Sequence, residues 1–180
     1  SCFTQSGAHL IADVTGWYTG GPSATTTGPV VDPPPPGGPL PWVVQVPRFG
    51  LNQWVLGGDA NRVVDSGRTW HWTGTGLAGQ GSSIVLFGHR TEAGGAYRYQ
   101  HALRGGDLLH LYTADGRRYN YRMAAEYVTS KYSNDILAAC RRVPGETVSL
   151  VSCSKTNRLP TSLQYRLVST FQLIGWDDLG

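Results

Sequence analysis

The chain has 180 residues and a formal net charge of +3 at neutral pH, length enough for one domain with its own core and an appendage. Only 15% of residues are charged, while Gly (24) and Pro (11) are abundant and Trp and Tyr number 6 and 9. This mixture suits a β-rich domain with many turns and excludes a helical bundle or coiled coil. The charge is too small for a nucleic-acid footprint, and no apolar run approaches the ~20 residues of a membrane helix. The opening Ser1-Cys2 lacks the basic stretch and apolar core of a signal peptide. The chain therefore reads as a piece of a longer protein, with any membrane anchor expected in a segment outside it.

Residues 1–20 contain two short β-forming stretches joined by a polar turn. The run His9-Leu10-Ile11-Ala12-Asp13-Val14-Thr15-Gly16-Trp17, with Cys2 ahead of it, resembles the end of a β-repeat of secreted actinobacterial proteins. A lone hairpin of this length is marginal in water, so the expectation is a repeat fragment or a tail. Residues 21–41 hold eight of the eleven prolines and one charge, Asp32. Such a segment cannot bury a core and is expected to run as an extended linker. From Trp42 onward the pattern is one of short strands punctuated by Gly turns. Trp42–Val46 is a strand closed by Pro47, and Ser83–Phe87 is an apolar run too short for a helix, hence a buried strand. Asp107–Thr113 and Arg117–Met123 flank Asp115-Gly116, a hairpin turn, and Tyr119, Tyr121 and Met123 alternate with polar residues. Asn134-Asp135 is expected to cap a short helix running to Arg142, with Ile136, Leu137 and Cys140 on one face. Thr147–Ser152 and Tyr165–Ile174 are the last strands. Residues 42–180 should form a mostly β domain, a closed barrel of seven to eight strands with one or two short helices.

No pair of histidines or cysteines has metal-ligand spacing, so neither a metal nor any other cofactor is expected. Three cysteines leave at least one thiol unpaired. Cys140, on the apolar face of its helix, reads as core or as a partner of Cys2. Cys153 stands at the C-terminal lip of a strand, and His89 follows Gly88 at the end of another and precedes Gly94-Gly95.

Read together, four blocks are specific. Gly88-His89-Arg90, Leu103-Arg104-Gly105-Gly106-Asp107, Ser149-Leu150-Val151-Ser152-Cys153 and Arg166-Leu167-Val168 occur in the order of the signature blocks of sortases, and the chain resembles that family over residues 42–176. The Gly-His-Arg form and Gly-rich loop lean towards the class E-like, actinobacterial branch. Ser149 and Ser152 stand where threonines are usual, and the twelve residues from Ser154 to Tyr165 make a long interval for class E. The resemblance implies Cys153 as nucleophile, His89 as acid/base and Arg166 as clamp on the oxyanion or substrate.

The implied chemistry is coherent. An ordinary thiol, with a pKa of ~8.5, is only a few per cent thiolate at neutral pH, so a nearby imidazole that takes its proton and later protonates the leaving amine serves both half-reactions. A guanidinium stays charged and donates in a fixed fork where the carbonyl oxygen becomes negative. The resemblance further implies cleavage of a Leu-Pro-x-Thr-Gly-like sorting signal after Thr and transfer to an amine. The partners would be proteins with a C-terminal sorting signal and an amine acceptor on a peptidoglycan precursor or pilin, at the cell surface. Two other readings stand beside it. One is a catalytically idle surface or adhesion module on the same barrel. The other is an L,D-transpeptidase-like thiol enzyme, although Ser152 and Ser154-Lys155 replace its usual Gly-Cys-x-Arg. Asp32-Pro33 is followed by Pro34 rather than an aromatic, which favours a spacer over an active-site lid.

Overall fold

The computed structural model describes residues 37–160 and 162–180. The expected β-repeat fragment, Cys2 and the linker through residue 36 lie outside the described residues. Eight strands form a closed barrel: β1 (Trp42–Val46), β2 (Leu51–Leu56), β3 (Thr69–His71), β4 (Ser83–Phe87), β5 (Leu108–Tyr112), β6 (Arg117–Ser130), β7 (Thr147–Ser154) and β8 (Tyr165–Asp178). Their order around the barrel is β1-β2-β3-β4-β7-β8-β6, closing through β5 onto β1. Two helices, α1 (Ala60–Asp65) and α2 (Ser133–Cys140), complete it. The mostly β closed barrel expected from the sequence is the fold observed.

Alternation explains most of the packing. Trp42, Val44 and Val46 of β1 point into the barrel with Ile84, Leu86, Leu109, Leu111, Val148, Leu150 and Phe171. Strand β4 is apolar on both faces because both are covered: Val85 and Phe87 join a second cluster outside the barrel with Val151, Val168 and the α2 residues Ile136, Ala139 and Cys140. Tyr119, Tyr121 and Met123 of β6 fill the interior, as their period predicts. A register shift between Met123 and Ala125 then moves Ala125 and Tyr127 into the outer cluster, and Glu126 is buried between them in sequence.

Three elements depart from expectation. β2, β3 and α1 were not foreseen. β2 breaks strict alternation, β3 is three residues long, and α1 is a six-residue turn capped by Asp59, whose carboxylate accepts from the Arg62 N–H at 2.8 Å. Helix α2 begins at Ser133 after Tyr132, whose side chain makes no capping bond, and Asn134-Asp135 lie in its first turn. Asp135 instead accepts from the Ser130 hydroxyl, which ties the helix start to the end of β6. Gly37 to Pro41, the tail of the expected linker, lie against the barrel: Gly37 N–H donates to Ala78 O at 2.6 Å, and the buried Trp42 indole donates to Gly38 O at 2.9 Å.

Candidate active site

Strand pairing brings the three candidate residues to one rim. β4 and β7 run parallel with Phe87 opposite Val151, and Gly88 N–H extends that ladder to Val151 O at 3.2 Å. The next residue is His89. β8 runs antiparallel to β7 and starts at the same rim, with Arg166 directly opposite Cys153. Residues directly opposite share a face. The pair below, Val151 and Val168, belongs to the cluster outside the barrel, so Cys153 and Arg166 occupy the outer face at the rim.

The His89 loop is fixed by close packing. A Cβ on Gly88 would lie 2.6 Å from the buried Tyr97 ring, so only glycine admits this approach. Tyr97 N–H in turn donates to His89 O at 3.0 Å and returns the loop to its start. The His89 ring faces two exposed carboxylates. Its Nε2 lies 2.9 Å from Asp65 Oδ1 at the end of α1, and its Nδ1 lies 3.9 Å from Glu92 Oε2.

Cys153 is half-buried, and its thiol makes no hydrogen bond to a described residue. Cys140 is fully buried, and that burial pushes its thiol up to about 11, which suits a packing residue. The Arg166 guanidinium donates through Nη1 to Leu163 O at 3.0 Å and Tyr165 O at 2.9 Å, anchoring the end of the β7–β8 loop. The ladder thus gathers the three backbone positions, while the His89 and Arg166 side chains engage local partners.

Behind the rim lies a polar cluster that the sequence reading did not single out. Arg90 has the opposite parity to His89 and points inward, 1% exposed. It donates to Cys153 O at 3.3 Å and Arg158 O at 3.1 Å, and to His101 Nδ1 at 3.1 Å. Burial pushes its guanidinium down to about 10 despite the opposing charge of Glu126. Arg158, in the β7–β8 loop, has φ of +72° and pairs with Glu126, while its Nη2 also donates to His101 O at 3.2 Å. Burial raises the Glu126 carboxyl to about 7, against the pull of Arg158, the Ser169 hydroxyl and Arg90. Gln100 completes the cluster, donating to Leu150 O and Ser169 Oγ, both at 2.9 Å, and accepting from Ser152. The Ser152 hydroxyl is therefore spent inside the barrel, away from the outer face of Cys153. The one sequence signal for this cluster was Arg90 itself, next to His89 within the Gly-His-Arg block.

The Leu103–Asp107 block is a strut. Asp107 takes a bidentate pair from Arg48 at 2.7 and 2.8 Å and accepts the Arg104 N–H at 2.8 Å, pinning the turn before β5 to the turn after β1. No group of three His, Cys, Asp or Glu able to hold a metal ion occurs among the described residues, and no helix among them is long and apolar enough to cross a membrane.

Solved structures with this fold include the SrtA sortase from Actinomyces oris, 20% identical, covering 82% of this chain and 89% of that one with a TM-score of 0.72. Sortase E1 from Streptomyces coelicolor, crystallised with a tripeptide in its active site, is 22% identical, covering 76% and 88% with a TM-score of 0.65. Sortase E from Streptomyces avermitilis is also 22% identical, covering 76% and 90% with a TM-score of 0.63. Comparison with curated proteins gave no match. The family model described as "Sortase domain" matches residues 44–173. That match runs from the first strand of the barrel into its last, and the chain belongs to the sortase family of transpeptidases.

Proposed function

We propose that residues 42–180 form a cysteine transpeptidase domain in which Cys153 is the nucleophile, His89 the acid/base and Arg166 the oxyanion clamp. The observation that carries this reading is the register: Cys153 lies opposite Arg166, and the parallel β4–β7 ladder delivers His89 to the same rim. In the first half-reaction the Cys153 thiolate attacks the carbonyl carbon of the scissile amide, after Thr in a Leu-Pro-x-Thr-Gly-like signal. The oxygen gains negative charge beside the Arg166 fork. As the tetrahedral species collapses, the C–N bond breaks and the imidazolium of His89 protonates the departing amine, leaving a thioester. An amine on a peptidoglycan precursor or pilin then attacks the thioester, gives its proton to His89 and expels the thiolate. For this cycle the His89 ring leaves Asp65, an exposed pairing worth at most ~1 kcal/mol. The domain works at the cell surface, with residues 1–20 as a repeat fragment or tail and residues 21–36 as a spacer.

The test is incubation with a panel of Leu-Pro-x-Thr-Gly and Leu-Ala-x-Thr-Gly peptides, following the acyl-enzyme by mass. The expected result is an adduct on Cys153 that disappears on adding an amine, and no adduct or cleavage in Cys153→Ala. Iodoacetamide should label Cys153 and spare the buried Cys140 in the native protein. Absence of any adduct, with Cys153 unlabelled, would point to the idle surface module.

A further inference from the structure

Arg90 is an expensive residue to bury. Enclosing a guanidinium costs several kcal/mol unless its donors are met, and well-packed apolar residues commonly replace such groups without loss of stability. Yet Arg90 is 1% exposed at the rim of the barrel. Its two terminal nitrogens reach three separate segments: the backbone at the end of β7 (Cys153 O), the backbone of the β7–β8 loop (Arg158 O), and the imidazole Nδ1 of His101 on the 3-10 turn Gln100–Ala102. The His101 ring can accept because burial and the nearby Arg90 and Arg158 charges hold its pKa below the usual value, keeping it neutral. Arg90 is also joined to His89 by one peptide bond. One side chain therefore ties the His89 segment to the carbonyl of Cys153. The Glu126–Arg158 pair stands behind it, with Glu126 held by Ser169 Oγ at 3.0 Å.

We propose that Arg90 is a positioning residue: its guanidinium fixes the β7 lip relative to the His89 loop, and the Glu126–Arg158 pair holds the loop against which it braces. This rests on the reading of Cys153 as nucleophile and His89 as acid/base. A fork is required, because three acceptors in different directions must be met from two nitrogens. A lysine at this position keeps the charge and loses the bridge. The consequence falls on the chemical step, where displacement of a reacting group by about 1 Å costs about 100-fold. Peptide binding, on the outer face of the sheet, is left largely alone.

The experiment compares wild type, Arg90→Lys, Glu126→Gln and Cys153→Ala, with kcat and KM measured on the sorting peptide that the wild type cleaves best. Each variant is assayed well below its own unfolding midpoint, where circular dichroism shows it fully folded. Arg90→Lys should lose about 10- to 100-fold in kcat with KM changed by less than about threefold, and Glu126→Gln should show a smaller kcat loss of the same kind. A wild-type kcat in folded Arg90→Lys overturns the proposal, as does a rise in KM alone. So does a loss that vanishes on cooling below the unfolding transition, since that is a stability effect only. If Arg90→Lys does not fold, Glu126→Gln decides: wild-type kcat there overturns the proposal, and a kcat-only loss supports it. Retained cleavage in Cys153→Ala would instead sink the site assignment, an outcome distinct from normal turnover in Arg90→Lys alongside a dead Cys153→Ala.

Discussion

Cys153 and Arg166 sit directly opposite one another across the antiparallel β7–β8 ladder, so the backbone itself holds the proposed nucleophile and its oxyanion partner on one face. Arg158, nearer to Cys153 in sequence, is turned inward onto Glu126. The two arginines should therefore fail in different ways. Arg166→Ala should lose about 100-fold or more in kcat at nearly wild-type stability, and Arg166→Lys should recover little because a point charge lacks the fork. Arg158→Ala should instead lose about 3 kcal/mol of stability, since it leaves the buried Glu126 without its partner. Steady-state kinetics and urea unfolding on the three proteins separate these outcomes. Collapse of turnover in a fully stable Arg158→Ala would reverse the roles.

Asp65 holds His89 Nε2 at 2.9 Å, yet its carboxylate is largely exposed at 69%. Such pairs contribute at most about 1 kcal/mol, and in the proposed cycle the ring leaves this partner to serve Cys153. Asp65→Ala should thus raise kcat modestly, by about fivefold at most, through release of the ring. A tenfold drop would show instead that Asp65 orients the imidazole during the reaction.

Truncation distinguishes the proposed spacer from the part of the chain that packs on the barrel. Deleting residues 1–36 should leave the urea midpoint unchanged. Deleting residues 1–41 removes Gly38, the acceptor of the buried Trp42 indole, and the Gly37 bond to Ala78. A buried donor left unmet costs about 1–3 kcal/mol, so the shorter protein should unfold at lower urea while its peptide activity below the transition persists. Equal midpoints for the two truncations would show that Gly37–Pro41 contribute nothing to the barrel.

The sequence carried the barrel and the rim residues for a definite reason. β4 is apolar on both faces, and β7 carries Val148, Leu150 and Val151 among small polar residues and is buried on both, because the interior and α2 cover them; such runs are visible without any alignment. His89 and Cys153 each follow one of these runs, so their placement at strand ends was legible. Their placement on one rim was legible only through the resemblance, since parallel pairing of β4 with β7 is a long-range fact. The polar cluster was hidden for a different reason. Glu126 is buried because a register shift after Met123 changes the phase of β6, and a period counted from Tyr119 does not see that shift. Asp65 was missed with α1, whose six residues are too few to show a helical period.

Glu126 gives the fold a dependence on pH near neutrality. Burial raises its carboxyl from 4.5 to about 7, and Arg158, Ser169 and Arg90 offset only part of that. The sign follows from proton counting. Between the unfolded and folded pKa values the native state binds the extra proton, so this group's contribution is fully present below about pH 4.5 and is lost as pH rises through about 7. The loss is at most about 3 kcal/mol, the free-energy equivalent of the gap between 4.5 and about 7. Two histidines act in the opposite sense: burial lowers His71 and His101, so their charging favours the unfolded chain at acid pH and that penalty disappears as pH rises through about 6.5. Paired carboxylates such as Asp107 and Asp177, held low by Arg48 and by Asn120 with Arg118, act only below about pH 4. The difference between wild type and Glu126→Gln isolates the one group. Urea midpoints taken from pH 5 to pH 8.5 should show the wild type losing stability relative to Glu126→Gln across this window, with the two curves converging towards the acid end. Parallel curves would mean that Glu126 keeps one protonation state throughout, and a relative gain for wild type at high pH would mean that Arg158 outweighs burial and holds the carboxylate ionised.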